Sequence, residues 1–425
     1  MKQLKFNRML AVALALGVTL SACDNDDDDD NNNGNATYTI TDVTKNGVDY
    51  KEVAGNINQN VTFSASNNYL LKDGVFVMDG STLTIEPGTS VFGDNTDGVD
   101  FLTINQGAMI NACGTAELPI VMSALQSTKG SWGGLIINGY GEINNGSTAT
   151  AECNSGTYGG NDNTDNSGTL CYVRIEYAGF ICATDDELNG LTLNAVGSGT
   201  SIEHVQIFRG ADDGIEWFGG AAQVKYAIVT GARDDSFDCT HGWAGKGQFF
   251  VAHQDSESGD RGFEFDNNGD DNSALPWTNP TISNVTLVGE DDGDAENTGM
   301  RLREGAKFRI WNALVTNFPK HGIRVSDSIT LVHVDNDEAF VSNASVFGLG
   351  GGGDAYRDCA KFTTDYDCDE AAVNLSGFVG TSSSNADPNG VDTWFTSAQY
   401  RGACETGGSW WTGGWAKDVD GDIMQ

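Results

Sequence analysis

Basic residues are scarce in this chain: 23 lysines and arginines face 60 aspartates and glutamates, a formal charge of −37. That balance excludes nucleic acid and anionic membrane surfaces as electrostatic partners, and it favours divalent cations. Only six prolines and five histidines are present, against 55 glycines. With abundant Asn and Thr and no long amphipathic period, this composition excludes a helical protein. No Cys-x-x-Cys or His-rich spacing points to a zinc site, and no Ser-His-Asp arrangement, P-loop or metalloprotease motif stands out. His204 falls at a strand bend and is expected to be structural, while His253 and His333 have no visible partners.

No apolar run is long enough to span a membrane. The longest, Met9 to Leu20, follows Lys2, Lys5 and Arg8 and has the length of a secretory signal. It ends in Leu20-Ser21-Ala22-Cys23, which resembles the lipobox of bacterial lipoproteins. The resemblance implies that residues 1–22 are removed and that Cys23 carries a diacylglyceride and an amide-linked acyl chain such as palmitate, together enough for stable anchoring. Loss of Lys2, Lys5 and Arg8 leaves 20 basic against 60 acidic residues, a charge of −40. Residues 23–36, with the run Asp26 to Asp30 and the asparagines that follow, cannot form a core and are expected to be an extended tether. Acidic residues directly after the lipid cysteine resemble surface-export signals of Bacteroidetes-type lipoproteins, which implies an outer-membrane anchor facing the cell exterior.

Besides Cys23 there are eight cysteines, at 113, 153, 171, 182, 239, 359, 368 and 404. An even number in an exported chain predicts disulfides, with Cys171–Cys182 and Cys359–Cys368 as the local pairs.

What the sequence does have is a repeat. Ile202-Glu203-His204-Val205-Gln206-Ile207 recurs 22 residues on as Val224-Lys225-Tyr226-Ala227-Ile228-Val229. Asp212-Asp213-Gly214-Ile215-Glu216-Trp217 maps at the same offset onto Asp234-Asp235-Ser236-Phe237-Asp238-Cys239. Gly190-Leu191-Thr192-Leu193 precedes these half-repeats, and Gly262-Phe263-Glu264-Phe265, Gly299-Met300-Arg301-Leu302 and Gly322-Ile323-Arg324-Val325 continue them. Short β-branched runs at this period, separated by Gly/Asp/Asn turns, predict an all-β right-handed parallel β-helix. A β-sandwich, the alternative, does not require a fixed offset. The expected divisions are a signal peptide (1–22), the tether (23–36), an N-terminal cap with first strands (37–80), the β-helix (81–348), and a loop-rich C-terminal cap with a disulfide and a Trp-rich end (349–425).

Several stretches resemble a family of exported β-helix lipoproteins of Bacteroidetes and marine bacteria: Leu83-Thr84-Ile85-Glu86-Pro87-Gly88, Trp132 to Ile137, Tyr158 to Asp162, Asn189 to Leu193, Asp212 to Gly220, and the ending from Tyr400 with Trp410 to Trp415. The resemblance implies the β-helix and the surface location, with no settled activity. The wider resemblance is to pectate-lyase-like solenoids, which implies a relation to acidic polysaccharides.

Stacking the repeats converts them into columns. One outward column is expected to run Thr192, Glu216, Asp238, Glu264, Arg301, Arg324. A second, at the turn before each strand, runs Asp213, Asp235, Arg261, Thr298, His321, and a third Asp212, Asp234, Asp260, Asn297, Lys320. Asp212, Asp213, Asp234 and Asp235, with Glu216 and Asp238, are the expected ligands of a calcium ion, which takes six to eight oxygens. Glu216, Asp238, Glu264 and Arg324, flanked by Trp217, Phe218 and Trp243 as stacking surfaces, are the expected contacts to an extracellular glycan. Asp235, Arg261 and Arg301 are the catalytic candidates should the same face belong to a polysaccharide lyase or glycoside hydrolase. Column neighbours about 5 Å apart, or about 10 Å across two coils, suit either carboxylate geometry of a hydrolase. Asp234-Asp235 with His241-Gly242 is weakly similar to pairs in polygalacturonases, but their Asn-Thr-Asp and Arg-Ile-Lys elements do not appear where the repeat would put them. Trp410, Trp411 and Trp415 are expected to close the end of the solenoid, and Asp418-Val419-Asp420-Gly421-Asp422 resembles half a calcium loop.

Overall fold

The computed structural model describes residues 37–424 except 185, 258, 291–296 and 352. The expected signal peptide and tether, with Cys23, lie outside the described residues.

Each coil of the chain contributes one short strand and one long, bent strand, and successive coils pair in parallel. The short strands stack from Phe101–Ile104 through Leu135–Asn138, Leu191–Asn194, Ile215–Phe218, Phe237–Thr240, Arg261–Phe265, Thr298–Leu302 and His321–Val325 to Asp354–Arg357. The long strands, among them Gly168–Glu176, Ser201–Phe208, Gln223–Thr230, Lys246–His253, Thr281–Val288 and Arg309–Thr316, stack with equal regularity. Each bends at one left-handed residue: Tyr172, His204, Tyr226, Phe249, Asn284 or Asn312. The bend divides the long strand between two sheets, so the coil has three sheets in all. This is the right-handed parallel β-helix.

The bend position explains His204. Its ring stacks between Tyr172 at 4.3 Å and Tyr226 at 4.4 Å, and burial there pushes its pKa down to about 4. It is a structural rung.

Inside, alternate residues of the stacked parallel strands form one apolar core running along the solenoid. Parallel stacking begins earlier than the sequence indicates, because Val48–Ile57 already pairs in parallel with Asn68–Val77. Among the described residues at that end, the strand Thr37–Lys45, antiparallel to Val48–Ile57, stands outside the coil pattern. At the other end, Phe362 of the helix Lys361–Asp365 packs into the core beside Phe308.

The cysteine pairing differs from the local pairs expected. Cys113 bonds to Cys171, and Cys153 to Cys182, while Cys359 and Cys368 are buried free thiols. The reason is register: Cys113 and Cys171 are direct partners in adjacent strands, so stacking brings together residues one coil apart. Cys359 and Cys368 instead donate to the carbonyls of Ile323 and Val341.

The Trp-rich end does not close the solenoid. The C-terminal segment turns back and runs along one side of it. Arg401 meets Ser345 and Asp369, Ala403 N–H donates to Thr286, Lys417 exchanges two hydrogen bonds with Gln206, and Arg174 donates to the Trp415 carbonyl at 2.6 Å. Trp411 and Trp415 bury Ile228, Val251 and Val288, which point outward from the long strands.

Candidate functional site

The charged face is built on the short strands. Their outward residues form the expected column, in register from Thr192 to Glu216, Asp238, Glu264, Arg301 and Arg324. The turn preceding each strand needs little room on its inner side. A Cβ at Gly214 would lie 2.5 Å from the Ser236 carbonyl, which accounts for the glycine that opens nearly every half-repeat. That turn sets the neighbouring columns: the Asp235 N–H donates to Asp213 Oδ1 at 2.8 Å, and the Asp260 N–H donates to the Asp234 carbonyl.

The acidic rungs are buried. Asp213, Glu216, Asp235 and Glu264 are each less than a tenth exposed, Asp212, Asp238 and Asp260 are half-buried, and Asp234 lies exposed at the rim. Burial, reinforced by Asp212, Asp235, Glu216 and Asp238, holds the Asp213 carboxyl far above the usual carboxylate range. Burial and the adjacent acids do the same to Glu216, Asp235 and Asp238. Asp212 and Glu264 are pushed up to about 7, again chiefly by burial. Oxygens of three overlapping sets lie within 4.8 Å of one another: Asp212/Asp213/Asp234, Asp213/Glu216/Asp238 and Asp234/Asp235/Asp260. Among the described residues, Asp235 Oδ1, Asp238 Oδ1 and Asp260 Oδ1 have no hydrogen-bond partner. A donor set made only of oxygens, several of them unsatisfied, suits a hard cation. Beside it, a groove of about 410 Å³ is lined by Glu187, Asp212, Arg233, Asp234 and Asp260.

Further along the ladder the sign changes. Arg261 lies among Asp260, Asp235 at 3.6 Å and Glu264 at 2.9 Å, and Arg303 joins Glu264 to Asp266. Arg301 and Arg324 follow on the next two rungs. Among the described residues their Nε atoms have no hydrogen-bond partner, and neither does Nδ1 of the neighbouring His321. Burial, with Arg303 and Arg261 close by, pushes the Arg301 pKa down.

Trp217 and Trp243 are not on this face. Both are buried in the core, stacked on each other at 4.5 Å. The alternation of a strand dictates this: with Glu216 outward, Ile215 and Trp217 must point inward. Phe218 packs against Ile143, Tyr158 and Ala195. His241 is likewise separated from Asp235, since the two flank the strand Phe237–Thr240 at opposite ends.

The structure also adds residues. Asn189, one coil before Asp213 in the same column, donates to Glu216 Oε2 at 2.5 Å, and its own Oδ1 is buried without a partner. The glycine offset in the repeat, Asn189-Gly190 against Asp213-Gly214, carries that signal. Glu152 lies beside Cys153, and Glu187 lies on a hairpin excursion formed by Ile181–Ala183 and Asp186–Glu187; Cys153–Cys182 cross-links the two. Burial, then Asp212, Asp186 and Glu187, push Glu152 up to about 8. Nothing periodic in the sequence links Glu152 to the ladder.

A solenoid of parallel coils with a ladder of acids and arginines along one side defines a β-helix with a charged lateral face. Residues 55–416 match the pectate-lyase-like β-helix domain, and the chain belongs to that family. Membership supports a carbohydrate-related function in general. Comparison with curated proteins gives no match, and comparison with solved structures gives none.

Proposed function

We propose that the ladder binds an acidic polysaccharide outside the cell, jointly through calcium at its carboxylate rungs and through Arg301 and Arg324 at its basic rungs. One observation carries this: the column changes sign along its axis and is unsatisfied at both ends. Asp235 and Asp238 each keep a buried oxygen without a partner, and Arg301 and Arg324 each keep a free Nε. Close buried carboxylates repel unless a proton or a cation neutralises them. Asp212, Asp213, Asp234 and Asp235, with Glu216, Asp238 and Asn189 Oδ1, are the oxygens that would hold calcium. The bound ion would supply positive charge facing a uronate carboxylate. The next carboxylates of a chain laid along the face would meet Arg301 and Arg324, whose planar guanidinium suits them. The lipobox-like Leu20 to Cys23 and the acidic stretch after it support a lipid anchor in the outer membrane, as do the motifs similar to exported β-helix lipoproteins.

A lyase is the second reading, favoured by Arg301. Its lowered pKa, and an Nε without a hydrogen-bond partner among the described residues, suit a base that takes the proton next to a uronate carboxyl. Arg261, enclosed by Asp235, Asp260 and Glu264, is better suited to fixing those acids in place.

Oligogalacturonate binding, measured with calcium and with EDTA, tests the proposal. Binding is expected to need calcium and to weaken at least about tenfold in Arg301→Ala/Arg324→Ala. Binding indifferent to both would sink it. New unsaturated ends absorbing in the ultraviolet would select the lyase.

A further inference from the structure

The ladder column does not start at Thr192. Register carries it back through Ile136 and Thr103 to Phe76 and Asn56. Phe76 is thus four rungs from Glu216, about 19 Å at the ordinary strand spacing. The intervening Thr103, Ile136 and Thr192 are fully covered, with Phe101 and Leu188 packed over Ile136. The face opens again at Phe76 as a cleft of about 490 Å³.

Its lining differs in kind from the acid and arginine rungs. Tyr140 is exposed, and Phe76 and Met78 are half-buried beside it. Asn105, Gln106 and Asp79 supply polar groups. Gln106 is held rigidly, its amide donating to the carbonyls of Gly139 and Gly159 at 2.9 Å each, while its Oε1 accepts no hydrogen bond among the described residues. Tyr140 is fixed through its backbone: its N–H donates to Asp165 and its carbonyl accepts from the Asp162 N–H. Asp79 lies close enough to raise the Tyr140 pKa, after burial.

We infer that this cleft binds a neutral pyranose residue. An exposed aromatic ring matches the C–H face of a sugar, and the fixed Gln106 amide oxygen and the Asp79 carboxylate can accept from its hydroxyls. The volume falls in the range of small-ligand sites. Asp79 is the one charged residue of the lining, so a uronate would meet repulsion here where the distant arginines attract it. Nucleotides, which also stack on aromatics, are disfavoured by the charge of −37 on the chain. The inference does not depend on the ladder holding calcium or uronate.

Saturation-transfer NMR on the full chain with the methyl glycosides of glucose, galactose and mannose tests it. At least one is expected to receive saturation at its ring protons. Tyr140→Ala, at an exposed position, is expected to cut that affinity about tenfold without moving the unfolding midpoint, and Asp79→Asn to weaken it as well. Arg301→Ala/Arg324→Ala is expected to leave it unchanged, which separates this cleft from the ladder. Silence with all three glycosides would overturn the inference. So would transfer that persists undiminished in both Tyr140→Ala and Asp79→Asn.

Discussion

Two outward columns run along this solenoid under the same stacking rule and end in opposite conditions. On the long strands, Arg174, Gln206, Ile228, Val251, Thr286 and Leu314 are in register, and the C-terminal segment covers them. Their polar members are satisfied by that segment: Gln206 by Lys417, Thr286 by Ala403, Arg174 by Glu176 and the Trp415 carbonyl. On the short strands, the C-terminal segment does not reach Glu216, Asp238, Glu264, Arg301 and Arg324 among the described residues, and Asp238 Oδ1 and the Nε atoms of Arg301 and Arg324 are left there without hydrogen-bond partners. One column completes the fold. The other keeps interactions open that a ligand can complete, and the chain bears the repulsion of its own acids meanwhile.

The largest expected effect comes from cutting the cross-link between the neighbour of Glu152 and the hairpin excursion that carries Glu187. Cys153 and Cys182 close a loop with a sequence separation of 29. Replacing both with Ser is expected to cost about 3–4 kcal/mol in denaturant unfolding and to weaken calcium binding as well. A loss of stability with calcium binding intact would detach this excursion from the site. Next, Arg174→Met removes one partner of a buried pair, Arg174–Glu176 at 2.6 Å, and is expected to destabilise by about 3 kcal/mol. Arg301→Met, on the open column, is expected to shift stability by less than about 0.5 kcal/mol. Equal effects at the two positions would erase the contrast between the columns.

A pH titration of metal-free protein sharpens the same contrast. Asp212 and Glu264 titrate near 7 and Glu152 near 8 in the folded chain, against 3.8 or 4.5 for unexceptional carboxyls. The folded state therefore binds more protons than the unfolded state across this window. That contribution to stability is complete below the unfolded values and is lost as pH rises through about 7 to 8. Stability of the EDTA-treated protein is expected to fall between pH 5 and 8, with calcium restoring it at the upper end. A flat profile, or one rising over that range, would contradict the buried-acid account. Smallest of all, Asp234→Ala at the exposed rim is expected to change metal-free stability by less than about 0.5 kcal/mol.

What the sequence made legible follows from what repeats. The 22-residue offset places Asp213 over Asp235 and Glu216 over Asp238, because parallel register permits no other alignment without turning side chains to the wrong face. Trp217 was legible as a core residue by the same alternation, and its position beside Glu216 concealed it, while Trp243 lies in the turn after Phe237–Thr240, where no alternation applies. The disulfides were not legible as local pairs, since Cys113 meets Cys171 across 58 residues through stacking. Glu152 and the returning C-terminal segment carry no period, so only the folded chain brings them to the solenoid's sides.

Calcium titration calorimetry on EDTA-stripped protein, at pH 7.5 and at pH 5.5, tests the central claim most directly. The account predicts saturable binding at pH 7.5, weaker binding at pH 5.5 where protons occupy the buried acids, and loss of binding in Asp213→Asn/Asp235→Asn. Saturable binding that is equally strong at both pH values and unchanged in that variant would show that the ladder is not the calcium site.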